Sequence, residues 1–223
     1  MRRTPVYIVC SPRPDVGKTI LARLLTEFLL LQNGAVTAFD INLREPSLLD
    51  YLPELTETAL ITDTFGQMAL MDRIVLNDGV AKVVDLGFHA FDDFFRIVSE
   101  IGYMKEAERK GTEPILLFLA GSDRASIRAW SMLHKNFPRV PIVPVENEFV
   151  LRGSALPDAY GDARPLEIAA LPAFLKSVIG RTNFSFTDYL RSTQDQSSEL
   201  HKWIRANYTS FRELELTLIL HKM

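Results

Sequence analysis

The chain has 223 residues, 47% of them hydrophobic and 24% charged, enough apolar material for one well-buried core and too little chain for two full domains and a linker. A formal net charge of -3 excludes a uniformly basic nucleic-acid binder, though not a local basic patch. No run reaches the roughly 18 apolar residues of a membrane span, and the one cysteine, Cys10, has no internal disulfide partner, which suits a reducing compartment.

Taken in order, short β-branched runs alternate with amphipathic stretches. PVYIVC (5–10) reads as a buried strand. Its arginine-led start, MRRTPVYIVC, is too short in apolar residues to read as a signal peptide, so a soluble cytoplasmic protein is expected. TILARLLTEFLLLQNG (19–34) predicts a helix with Leu21, Leu24, Leu25, Phe28 and Leu29 on one stripe and Gly34 as its stop. AVTAFD (35–40) is a second strand. Between 41 and 80 the pattern is mixed: Pro46 and Pro53 mark a loop, and TALITDTF and DRIVLND read as short strands or helix fragments.

Clearer signals follow. VAKVVDLG (80–87) is a strand ending in Asp85 and Gly87, with a helix expected at about 90–102. EPILLFLAG (113–121) is a strongly apolar strand, and DRASIRAWSMLHKNF (123–137) a helix capped by Ser122 or Asp123. VPIVPVEN (140–147) is another strand, 152–165 a long surface loop, and LEIAALP (166–172) a short final strand. A helical tail then begins near 172 and continues through FTDYLRSTQDQSSELHKWIRANY. This alternation implies a mainly parallel sheet with helices on both faces.

The junction CSPRPDVGKTILARLL (10–25) carries the chemistry. A helix N-terminus entered from a buried strand presents unpaired amides and a partial positive charge, a natural seat for phosphate. Gly17 lets the backbone approach a ligand, Lys18 has the reach for terminal phosphates, and Thr19 offers a hydroxyl to Mg²⁺. The usual GxxxxGK[ST] spacing has Pro12 in place of its first glycine.

RPDVGKT (13–19) resembles the deviant Walker A motif KGGxGKT of the ParA/MinD family of P-loop ATPases. The resemblance implies a three-layer α/β P-loop NTPase fold, with a mainly parallel central sheet flanked by helices, as a single domain over 1–223. It also implies ATP and Mg²⁺ as cofactors, a nucleotide-dependent homodimer, slow hydrolysis, and a partitioning or positioning switch for plasmid, chromosome or other cargo. In that family the first lysine of the motif crosses the dimer to the partner's nucleotide; Arg13 stands there and keeps the charge with a planar fork of donors. Pro14 and Asp15 replace the two glycines, removing one amide and adding an acid beside the phosphate; Val16 and Ile20 complete the nucleotide-binding run of 12–20.

The same resemblance assigns the acidic strand ends. Asp40 matches the first carboxylate of the family's second-strand pair, and Asn42 falls where the second positions the attacking water; without it, both read as turn residues. Asparagine orients water but takes no proton, so hydrolysis would slow. Asp85 resembles the Walker B aspartate that holds the Mg²⁺ shell with Thr19, and is otherwise a helix cap. Asn147 and Pro172 resemble residues that contact and close over the adenine, with a plain turn as the other reading.

Other features carry less. His89, His134, His201 and His221 lack metal-ligand spacing, and the FDDFF run (91–95) suits a core. Cys10 reads as a small buried filler. FRELELTLILHKM (211–223) lacks the basic face of a membrane-surface helix and reads as a packed helix or an edge strand, so no membrane partner is expected. Arg124, Arg128, Lys135 and Arg139 form either a solvated helix face or the non-specific DNA patch of ParA-like proteins; Lys176, Arg181, Arg191, Lys202, Arg205 and Arg212 follow. A partner protein that stimulates hydrolysis also fits the family. DVGKT further resembles dethiobiotin synthetase, which makes an ATP-dependent ligase using Arg44 the alternative, beside a non-hydrolysing nucleotide-binding adaptor.

Overall fold

The computed structural model describes residues 3–42, 47–161 and 164–220. The first strand, β1 (Thr4–Cys10), is buried on both faces, which is why it reads as an unbroken apolar run rather than an alternating one. It feeds α1 (Lys18–Asn33), which Gly34 ends in a left-handed turn. β2 (Val36–Asp40) and α2 (Leu48–Tyr51) follow, then β3 (Thr56–Thr58), α3 (Thr64–Ile74) and β4 (Ala81–Asp85). After a 3₁₀ turn at Phe88–Ala90 come α4 (Phe91–Glu100), α5 (Tyr103–Lys110), β5 (Thr112–Leu119) and α6 (Arg124–Asn136). β6 (Ile142–Asn147), α7 (Glu148–Leu151), β7 (Leu166–Ile168), α8 (Ala173–Ile179), α9 (Phe186–Ser192) and α10 (Glu199–Leu220) complete the order.

The seven strands form one parallel sheet in the order β3-β2-β4-β1-β5-β6-β7. Tyr7 and Val9 of β1 point into a core shared with α1 and α10, while Val6, Ile8 and Cys10 point into the core built with α3 to α6. This is a three-layer α/β fold, a parallel central sheet flanked by helices on both faces. The chain turns away from β1 on both sides, toward β4 and toward β5, so the crevice for a ligand opens above the carboxyl end of β1. Register brings Asp85 beside Val9 and Asp40 beside Asp85 at that same edge.

The mixed stretch resolves into β3 and α3, the latter started by Asp63, whose carboxylate accepts from Gly66 N. The helix expected at 90–102 stops at Glu100, because Gly102 takes a left-handed φ of 66°, and the polar α5 then starts anew. Only Tyr103 and Ala107 of α5 are buried, too few for a legible stripe. The helical tail is three helices, and its leucine alternation ends as helix: Leu218 is buried, whereas Leu216 and Leu220 are exposed. Among the described residues no helix is long and apolar enough to cross a membrane.

Candidate functional site

The loop from Ser11 to Gly17 is held from several sides. Ser11 Oγ accepts from Arg13 N at 3.3 Å, and Asn147 Nδ2, from the end of β6, donates to Val16 O at 3.0 Å. Gly17 has a φ of 91°, and a Cβ there would stand 2.7 Å from Asn147 Nδ2, so both conformation and space require glycine. Asp15 also takes a left-handed φ, 54°, where the resembled motif has glycine. Asn147 is thus a clamp on the loop, and its Oδ1 accepts from Phe149 N at 3.1 Å.

Lys18 is buried and folds back along the loop: its Nζ donates to Arg13 O at 2.6 Å and lies 5.9 Å from the Phe88 ring centroid. Burial pulls its pKa down, against the opposing pull of Asp85. Thr19 Oγ1 donates to Asp85 Oδ2 at 2.7 Å and receives from Asn42 Nδ2 at 3.3 Å. Asp85 is fully buried and its Oδ1 has no hydrogen-bond partner. Burial, reinforced by nearby Asp40 and offset by the Thr19 hydrogen bond, pushes its pKa up to about 7. A buried carboxylate oxygen without a partner beside a threonine hydroxyl is what a hydrated hard cation would satisfy. No group of three or more His, Cys, Asp or Glu able to hold a metal occurs among the described residues. Mg²⁺ here would therefore rely on Thr19, Asp85, water and the ligand's own phosphates.

Asp40 is fully buried, but both its oxygens are occupied: Oδ1 accepts from Asn42 N at 2.8 Å and Oδ2 from Leu49 N at 3.1 Å. It therefore shapes the turn after β2 and presents Asn42 to Thr19. Gly87 lets that turn approach, since a Cβ there would meet His89 Cε1 at 2.9 Å and Asn42 Cα at 3.2 Å. Arg44 lies outside the described residues, as does His221.

Arg13 is half exposed, and its Nε stands 3.6 Å from Asp123 Oδ2. Asp123 in turn caps α6, accepting from Ala125 N, Ser126 N and Ser126 Oγ. Burial works against that carboxylate, but the Ser126 hydrogen bonds and Arg13 outweigh it and hold its pKa below the ordinary range. Arg124, Arg128, Lys135 and Arg139 are all exposed on α6 and its exit.

Beside the loop opens a cavity of about 300 Å³. Asp15, Gly17, Thr19, Ile20 and Asn147 line it, so the structure gathers these expected residues around one space. Pro172 is exposed at the start of α8 and does not line the cavity; its neighbour Leu171 does. Sequence reasoning missed Arg23, Tyr51, Phe149, Lys176 and Trp203 on its walls. Arg23 had a signal, as a charge within the leucine stripe of α1. Its guanidinium donates to Ile179 O at 2.6 Å and to Phe184 O, and lies against the rings of Tyr51 and Phe186. Glu27, ion-paired with Arg23 at 3.6 Å, accepts from Ser185 Oγ and Thr187 N, so the pair fastens the α8–α9 connection to α1.

No family model and no curated protein sequence matches this chain. Among solved structures it is similar to the MinD cell division protein of Aquifex aeolicus, at 14% identity and a TM-score of 0.49, covering 94% of this chain and 97% of that one. It is likewise similar to the MinC:MinD cell division protein complex of Aquifex aeolicus, at 15% identity and a TM-score of 0.49, covering 94% of this chain and 96% of that one.

Proposed function

We propose that the chain is a ParA/MinD-like ATPase that binds ATP with Mg²⁺ in the β1–α1 loop, dimerises on binding and hydrolyses slowly. One observation carries the reading: Thr19 and Asp85 are hydrogen-bonded at the foot of the loop while the other Asp85 oxygen is buried without a partner. Mg²⁺ would supply charge neutralisation of the phosphates. The helix-start amides and Lys18 bind phosphate oxygens, for which Lys18 exchanges its bond to Arg13 O. Asp85 orients Thr19, and Asp40 sets the turn that holds Asn42. Asn42 positions a water by hydrogen bonding without taking its proton, which keeps turnover slow.

Arg13 leaves its weak, exposed pairing with Asp123 to reach a partner subunit's nucleotide. In a partitioning or positioning role ATP assembles the dimer and hydrolysis releases it; a partner protein would act on that step. The exposed cations of α6 are where a salt-sensitive, sequence-independent DNA contact would fall. ATP–Mg²⁺ affinity and molecular size with and without ATP–Mg²⁺, beside Lys18→Ala, test the reading. It predicts ATP-dependent dimers that Lys18→Ala abolishes. Binding without assembly would indicate a ligase, and no binding an adaptor.

A further inference from the structure

The cavity beside the loop has a mouth that the phosphate chemistry does not use. Phe149 of α7 and Lys176 of α8 come from opposite sides, both line the space, and the Lys176 Nζ sits 3.1 Å from the Phe149 ring centroid. Phe149 is 56% exposed, and at the cavity mouth its ring is met by the Lys176 ammonium. The Phe149 backbone N–H is held by Asn147, the same residue that clamps the loop, which ties the start of α7 to the loop. The other cation on the wall, Arg23, is committed to the carbonyls of Ile179 and Phe184. Lys176 therefore supplies the cation at the mouth, on a flexible stem from a short helix.

We propose that Phe149 and Lys176 are the specificity-determining pair for the base end of the ligand, an inference that rests on the nucleotide reading above. A heteroaromatic base takes the place the ammonium now holds on the Phe149 ring. The ammonium moves outward by about one ring thickness and caps the base on its other face, so a cation–π contact is exchanged rather than lost. The loop recognises the triphosphate, and this pair distinguishes a nucleotide from a bare polyphosphate. Trp203 on the cavity wall provides the reporter, since Trp130 lies in the core on the opposite side of the sheet.

The test compares dissociation constants for ATP–Mg²⁺ and tripolyphosphate–Mg²⁺, read by tryptophan fluorescence and checked calorimetrically. The ratio favouring ATP should fall about tenfold in Phe149→Ala and about threefold in Lys176→Met, the sizes expected for losing one base stack and one exposed cation–π contact. Tripolyphosphate affinity should not change, and Phe149→Tyr and Lys176→Arg should keep the ratio. An unchanged ratio in both variants, or equal losses for both ligands, overturns the pair's role while leaving the loop reading intact. A wild-type protein that binds neither ligand overturns the loop reading, and this inference with it.

Discussion

Asp85 gives the sharpest test of the site, because its burial has a thermodynamic signature without any ligand. Its carboxyl goes from 3.8 to about 7 on folding, a change of roughly 3 units or about 4 kcal/mol. The folded state holds the proton more tightly than the unfolded state, so the contribution is full below 3.8, falls as pH rises and is gone above about 7. Asp85→Asn keeps the shape and an oxygen for the Thr19 hydroxyl but does not titrate. The stability of Asp85→Asn relative to wild type should therefore rise by about 3 kcal/mol between pH 5 and pH 8, leaving the variant the more stable protein at pH 8. Urea unfolding of both proteins across that range measures it, and subtraction removes the titrating groups that are not coupled to Asp85. At pH 8, ATP–Mg²⁺ should stabilise wild type and not the variant. A difference that stays flat with pH, or a variant less stable at pH 8, would refute the buried, unpartnered carboxylate.

Three further substitutions probe separate links. Gly17→Ala forces a side chain into a φ of 91° and against Asn147 Nδ2, and should cost about 2–3 kcal/mol in urea unfolding from left-handed strain plus a lost loop hydrogen bond. Asn42→Asp places a proton acceptor beside Thr19 and should raise phosphate release about a hundredfold, the low end for general base catalysis; no change would mean Asn42 does not face the attacking water. Arg23→Met leaves Glu27 as an unpaired buried charge and should cost about 3–5 kcal/mol, with Glu27→Gln recovering part of it in the double variant. Limited proteolysis should cut first between α8 and α9 in that single variant.

The parallel sheet was legible because a strand buried on both faces must be apolar throughout, as PVYIVC and EPILLFLAG are. The loop was legible because its chemistry lies in consecutive residues and at strand ends. The cavity mouth was not, because Phe149 and Lys176 meet through the packing of α7 and α8, and neither carries a local signature. Arg13 shows the intermediate case: its charge is readable from the motif, but its pairing with Asp123 depends on β5 ending beside β1. Asp40 is another: an acidic strand end suggested chemistry, yet two main-chain amides occupy it.

The prolines of the loop are compatible with phosphate binding for a reason of position. Pro12 and Pro14 remove amides at the loop's entrance, where Arg13 N is already bonded to Ser11 Oγ. The donors that matter for an anion at a helix start lie further on, from Val16 to Thr19, and no proline falls among them. Proline also narrows the conformations open to the loop, so less order has to be imposed when a ligand binds. Asp15 works in the opposite direction, since its carboxylate acts on Lys18 and would compete with a phosphate for it. If the loop binds nucleotide as proposed, the balance of a stiffened loop and an opposing acid would make affinity depend strongly on Mg²⁺, whose charge would screen the acid and meet the unpartnered Asp85 oxygen. A loop built this way would hold nucleotide chiefly as the magnesium complex, which suits a switch that lets go once the terminal phosphate has left.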